Sequence, residues 1–263
     1  MTSKLEPYEP SGKKLHLVQR CFSERAPILP LPYNERPKPS ELRARILDDL
    51  SGRSDGTHHL SELMELVLRS VHRAWDNFYE GPVSPSDFLR TPIGAAYEIV
   101  SMAGKGRGVI ASRDITAGEI ILREAPVIVL PPGESNMLLL LTLPQKALEA
   151  VILLHNQEPE YKRASLRRDI PTYRLLDYLQ GVVNTNAWTT PNAPYGGITL
   201  LLLTGSMFNH SDTPNITSSW DTATEQKEFM SIGDIKKCEE LEVDYLFGVA
   251  GTDRAELLKG YGL

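Results

Sequence analysis

Short runs of β-branched and aliphatic residues broken by glycine lie on both sides of a longer stretch with helical periodicity, and this layout limits the chain to few architectures. Strands are expected at 95–101, 107–111 and 119–130, closed by Pro131-Pro132-Gly133, and again at 197–203, 215–220, 227–232 and 241–245. Residues 134–182 between them read as helical. Thr142 with Gln145 three positions on resembles a capping box with Pro144 in the first turn. Leu148, Val151, Ile152 and His155 share a face, on which His155 reads as a satisfied histidine and not a ligand. A second helix over 171–182 opens with Pro171. Strands, a helical excursion and strands again predict a β-rich α+β fold.

The N-terminal third is of different texture. Pro7, Pro10, Pro27, Pro30, Pro32, Pro37 and Pro39 forbid long helices in residues 1–40 and predict an extended arm. Ser40 reads as the N-cap of a helix over Glu41–Leu50, closed by Ser51-Gly52. Leu60, Leu63, Met64, Val67, Val71, Trp75 and Phe78 recur at three- and four-residue steps, which predicts a helix over 59–79 with a core-facing stripe, ended by Gly81-Pro82. The chain thus divides into a proline-rich and helical arm, 1–92, and a main domain, 93–263. The latter comprises N-terminal strands (93–132), a helical insert (133–195) and a C-terminal core (196–263).

Composition excludes several classes. A net charge of −6 argues against a general nucleic-acid or anionic-membrane surface, both of which favour clustered Lys and Arg, so no direct nucleic-acid or membrane partner is expected. Cys21 and Cys238 are the only cysteines, too few for a disulfide framework or a cysteine-rich zinc site, so no metal is expected and an intracellular protein, nuclear or cytoplasmic, is. Pro144, Gln145, Lys146 and Glu149 interrupt the most apolar region, Met137–Leu154, which therefore cannot span a membrane.

Four blocks carry the chemistry. Ser206–Asn215 reads Ser-Met-Phe-Asn-His-Ser-Asp-Thr-Pro-Asn, preceded by the apolar run Ile198–Leu203 and followed by Glu239–Tyr245, Glu-Glu-Leu-Glu-Val-Asp-Tyr. Gly104–Pro126 holds a glycine-rich turn, an apolar strand, an Asp-Ile corner and a Gly-Glu that starts the next strand. Val183–Trp188 and Arg254–Leu263 complete the set. In this order the blocks resemble the SET domain of protein lysine methyltransferases over about residues 97–263, and the last two are similar to the branch often fused to a MYND zinc finger. The resemblance implies short strands in small sheets with a knot-like crossing, and S-adenosylmethionine as cofactor.

The chemistry of lysine methylation suits such residues. An amine of pKa near 10.4 is neutral only about 0.04% of the time at pH 7, a cost of roughly 4–5 kcal/mol. An enclosed aromatic channel beside a cation lowers that pKa, and in-line transfer needs alignment and exclusion of water more than acids or bases. By the resemblance, Lys105, Gly106, Arg107 and Gly108 approach the methionine part of the cofactor, Asn209 and His210 seat it, and Asn186 adds a contact. Tyr245 stands at the catalytic tyrosine position and Tyr261 at a second channel tyrosine. Val243 falls where some members limit the number of methyl groups, while Ser211 and Asn215 fix the crossing.

Some positions depart from the pattern. Asp212 follows Asn-His-Ser where cysteine is frequent, Gly233 replaces a basic residue, and Cys238 occupies a turn position that glycine adopts easily. The sequence ends at Leu263 without the zinc-binding cysteines of a post-SET segment, and MYND ligands are absent. Either the N-terminal arm closes the site, or cofactor is held poorly. The expected function is methyl transfer to lysine in a histone or non-histone protein; the alternative is a SET-fold binding or scaffold protein that has lost turnover.

Overall fold

The computed structural model describes residues 57–78, 91–131, 137–157, 173–190, 197–246, 254–259 and 261, with residues 36, 38, 40, 41, 43 and 44. Its elements are α1 (Thr57–Phe78), β1 (Tyr97–Met102), β2 (Gly106–Ala111), β3 (Ile120–Glu124), β4 (Ile128–Leu130), α2 (Met137–Leu140), α3 (Gln145–Leu153), α4 (Tyr173–Asn186), β5 (Ala187–Thr190), β6 (Ile198–Leu201), β7 (Asn209–His210), β8 (Ile216–Asp221), β9 (Gln226–Ser231), β10 (Glu242–Val243) and α5 (Arg254–Lys259). A short 3-10 turn, Gly205–Met207, precedes β7. Two compact units divide these elements, one within residues 86–125 and 203–263, the other within residues 11–85 and 126–202.

The second unit is helical around one small sheet. Strands β4, β6 and β5 are antiparallel with β6 central, and Ile128, Val129, Ile198, Leu200 and Leu201 are buried in them. Helix α1 buries Leu63, Val67, Val71 and Trp75 as its periodicity predicts. Two polar contacts fix its seating: Val129 N–H donates to Ser70 Oγ (3.0 Å), and Trp75 Nε1–H donates to the Thr142 carbonyl (2.8 Å). Fully burying side chains of this size stabilises by about 1.5–3 kcal/mol each. In α3, Leu148, Val151 and Ile152 are buried, whereas His155 lies beyond the helix, exposed, and pairs with Gln157.

The first unit is built of strands. Hairpin β1–β2 runs in continuous antiparallel register from Tyr97↔Ala111 to Met102↔Gly106. A three-stranded antiparallel sheet has the order β3-β9-β8. Strand β10 comes back alongside β7 in parallel, pairing Glu242 with Asn209 and Val243 with His210. Asn215 ties this return in place, its amide donating to the Glu240 carbonyl (2.8 Å) and accepting from Glu242 N–H (2.9 Å). Ser211 N–H donates to the Val243 carbonyl (3.0 Å).

Five expectations are corrected. Residues 119–130 form two strands, because Pro126 lacks a donor and fixes its own φ, and the halves join different units. The Thr142–Gln145 capping box does not form: Thr142 Oγ1 donates to the Leu139 carbonyl, Gln145 pairs with Glu149, and Pro144 itself occupies the N-cap. The helix expected to end at 182 continues to Asn186. Ser40 is already helical, and Lys38 N–H instead donates to Glu41. The last strand ends at Val243, leaving Tyr245 in the turn beyond it. The proline-rich arm before residue 36, Cys21, residues 45–52, Gly81-Pro82, Pro132-Gly133, Pro171 and Leu263 lie outside the described residues, as does the Leu60 side chain.

Candidate active site

The turn joining β1 and β2 exists because glycine supplies what other residues resist. Gly104 and Gly106 have φ of +78° and +79°. Gly108 is needed for a different reason: a Cβ there would lie 2.1 Å from Met102 Sδ and 2.8 Å from Asn209 Nδ2. Its bare backbone lets the Asn209 amide reach the Arg107 carbonyl, to which it donates at 3.1 Å. Arg107 is buried and Lys105 extends into solvent.

Asn209 also donates to Glu240 Oε1 (2.8 Å), and Lys105 Nζ donates to Glu240 Oε2 (2.8 Å) and to Glu242 (3.0 Å). Hydrogen bonding to Glu240 raises the Lys105 pKa. The two oxygens of one carboxylate are thus gripped by an ammonium and an amide on different elements. Such a donor pair fits a carboxylate.

His210 is nearly enclosed, with a side-chain exposure of 7%. Its Nδ1 accepts the Tyr245 N–H (3.2 Å), so the neutral ring carries its proton on Nε2. Nε2 is buried without a hydrogen-bond partner, the Asp212 carboxylate lying 3.4 Å away. The His210 and Tyr245 rings are 5.3 Å apart, and Tyr245 and Tyr261 are 5.0 Å apart with planes tilted by 50°. Tyr245 Oη–H donates to the Phe208 carbonyl (2.8 Å). Burial pushes the Tyr245 phenol up to about 12, against a lowering by Arg107, and raises Tyr261 as well. At neutral pH both phenols are uncharged and neither is a base.

The backbone that carries this pair is itself pinned. Arg254 donates to Asp244 Oδ1 (2.8 Å) and to the Leu246 carbonyl (3.0 Å), the two residues that flank Tyr245. The half-buried Glu124 carboxylate accepts the N–H groups of Leu203, Thr204 and Gly205 at 2.7, 3.0 and 2.7 Å, holding the 3-10 turn that leads to Asn209. Burial raises its pKa while the three donors pull it back.

Of the residues singled out from sequence, Lys105, Gly106, Arg107, Gly108, Asn209, His210, Tyr245 and Tyr261 all belong to the strand-rich unit, and the contacts above link them. Asn186 belongs to the other unit, its amide nitrogen donating to the carbonyls of His155 (2.6 Å) and Val182 (2.7 Å) at the end of α4. Val243 is buried beside His210. Glu240, Glu124 and the double grip of Arg254 were not foreseen. Glu240 alone had a signal, as an acidic residue five positions before Tyr245. Among the described residues no cluster of His, Cys, Asp and Glu could hold a metal, and no helix is long and apolar enough to cross a membrane.

Small sheets, a glycine turn against an Asn-His strand and a returning C-terminal strand define the SET fold, of the α+β class. The SET domain model matches residues 106–246, and the chain belongs to the SET domain family. No curated protein matches it by sequence. Among solved structures, a Plasmodium falciparum protein described as a putative histone methyltransferase is 18% identical, covering 58% of this chain and 95% of that one, with a TM-score of 0.31. The SET domain of LSMT, solved bound to lysine and AdoHcy, is 12% identical, with coverage of 74% of this chain and 57% of that one and a TM-score of 0.45.

Proposed function

We propose that this chain transfers methyl groups from S-adenosylmethionine to the side-chain amine of lysine in an intracellular protein substrate, histone or non-histone. The observation that carries the reading is the half-buried, uncharged Tyr245, its hydroxyl fixed on the Phe208 carbonyl and its ring in contact with those of His210 and Tyr261. Kinship with the MYND-associated branch belongs to the same proposal and rests on Val183–Trp188 and Arg254–Leu263.

In this reading Lys105 and Asn209 hold the amino-acid end of the cofactor, on the backbone of Gly106 to Gly108 and backed by Arg107. The bound cofactor supplies a methyl group on a positively charged sulfur. Everything else falls to the chain. Tyr245 and Tyr261 bound an apolar place for the substrate amine, and the Phe208 carbonyl and Tyr245 oxygen supply lone pairs toward which its N–H bonds turn, leaving the nitrogen lone pair to point at the methyl. A phenol near 12 takes no proton at neutral pH, so the amine loses its proton to water before transfer. The small Val243 side chain supports more than one round of methylation.

The test is transfer of labelled methyl from S-adenosylmethionine to lysine-containing peptides, by wild type and by Tyr245→Phe. Transfer abolished or strongly reduced in the folded variant supports the reading; equal transfer by both removes Tyr245 from it.

A second reading, a SET-fold binding protein without turnover, is favoured by the engagement of Lys105 and Asn209 with Glu240. A thermal melt separates the two. Cofactor at a hundred times its dissociation constant stabilises by about 2.7 kcal/mol. A shift in wild type that disappears in Asn209→Ala supports the first reading, and no shift at millimolar cofactor supports the second.

A further inference from the structure

The Arg254 guanidinium, which opens the last motif block, sits at a junction that the proposed chemistry does not employ. One nitrogen donates to Asp244 Oδ1 at 2.8 Å and another to the Leu246 carbonyl at 3.0 Å, so a single planar group grips the residues immediately before and after Tyr245. The same Asp244 oxygen accepts the Leu246 N–H (2.9 Å), which tightens the turn from inside. Between them, the Tyr245 N–H is held by His210 Nδ1. Asp212, the other carboxylate near His210, lies 3.6 Å from Arg254, so the cation answers both acids that face the imidazole. Hydrogen bonding to Asp244 raises the Arg254 pKa further, and its charge is permanent.

The other end of Arg254 matters equally. It opens helix α5, whose end is followed by Tyr261, and the Tyr261 N–H continues the winding by donating to the Leu258 carbonyl (2.9 Å). No residue of α5 is buried. Leu258 is half-buried at most, and among the described residues the contacts at the two ends of this segment include the Arg254 fork, on the Tyr245 turn, and the Tyr261 ring, 5.0 Å from the Tyr245 ring.

We propose that Arg254 is a positioning residue: it clasps the Tyr245 turn to α5 and thereby sets Tyr245 and Tyr261 against each other. Its consequence for turnover rests on the methyl-transfer reading above; the clasp itself does not. A fork with two donors in fixed geometry is required, since one acceptor is a carboxylate and the other a carbonyl two residues on. Lysine keeps the charge but has its donors on one nitrogen, without the planar two-nitrogen fork.

The experiment compares wild type, Arg254→Lys and Arg254→Ala in the full chain by amide hydrogen exchange and by methyl transfer. Exchange at Tyr245, Leu246 and 255–261 should quicken in both variants, with protection of β1, β2, β8 and β9 unchanged. In an active wild type, kcat should fall by about ten- to a hundredfold in each variant, with cofactor Kd changed much less. Unchanged exchange at those amides overturns the clasp. Quickened exchange with unchanged kcat overturns the positioning role. A wild type without activity defeats the methyl-transfer reading alone, and exchange still decides the clasp. Should Arg254→Ala not fold, Arg254→Lys, which keeps the charge and the aliphatic stem, carries both measurements.

Discussion

Around α1 and strands β4, β5 and β6 the enclosed side chains are mainly aliphatic, with Val67, Val71, Val129 and Leu200 buried and Ser70 and Thr142 each hydrogen-bonded among them. Around Tyr245 nearly every contact has a direction: an N–H to imidazole, a phenol to a carbonyl, a guanidinium to a carboxylate. Apolar packing resists losing volume but tolerates small displacements, because its energy scales with area. Directional contacts give up little stability when one is deleted, yet they fix atoms to a fraction of an ångström. The helical unit thus serves stability and the strand-rich unit serves geometry, and the two should fail differently.

Deleting bulk from the apolar unit gives the largest expected effect. Trp75→Ala removes a buried ring and leaves the Thr142 carbonyl without its indole donor, for a loss of about 3–5 kcal/mol. A thermal melt should show it as a fall of about 10 °C. Cofactor affinity of the protein that remains folded should hardly change, and a selective loss of affinity at full stability would break the contrast.

Tyr245→Phe is the mirror experiment. It removes only the hydroxyl that donates to Phe208, so stability should fall by about 1 kcal/mol. Methyl transfer should fall about a hundredfold, the scale of losing one preorganised hydrogen-bonding group. Loss of stability comparable with Trp75→Ala would show that the directional contacts carry the unit's folding.

The pH dependence comes next in size. Because Tyr245 stays protonated until about 12, the protein contributes no ionisation of that phenol between about pH 7 and 9. The neutral fraction of a substrate amine grows about tenfold per unit toward its pKa. The rate should therefore rise nearly tenfold per pH unit over that range under subsaturating substrate. A plateau or fall below about pH 8 would place a titrating protein group in the reaction and overturn the passive role of the tyrosine.

What could be read from sequence follows the same division. Strands β1, β2, β8 and β9 were placed to within a residue or two, because glycine turns and alternating burial are local. The reading of 119–130 as one strand failed at Pro126, where sheet membership changes. Tyr245 was assigned to a strand that stops at Val243, since Asp244 captures the Leu246 N–H with its own side chain and bends the chain away. Glu240 and Arg254 act on residues brought near by the return of the C-terminal segment, and spacing alone does not reveal such partners. Motif blocks located the tyrosines; the contacts that hold them needed coordinates.

Cys238 tests the smallest difference between the two kinds of contact, and here a local rule did reach the strand-rich unit. A side chain was expected to sit uneasily where glycine is easy, and Cys238 adopts φ of +71° while exposed to solvent. Its N–H donates to the Ala111 carbonyl (2.8 Å) and Leu241 N–H to Val109 (2.8 Å), so the turn cannot relax without releasing the backbone that leads to Glu240. The strain, on the order of 1 kcal/mol or somewhat more, is kept in place by those directional bonds. Cys238→Gly relieves it but gives the unfolded chain more freedom, worth about 0.4–1 kcal/mol in the opposite sense. The net should be a gain of about 0.5 kcal/mol, seen as a higher urea midpoint with the slope unchanged. A loss of stability instead would mean that the exposed thiol makes a contact outweighing its backbone strain.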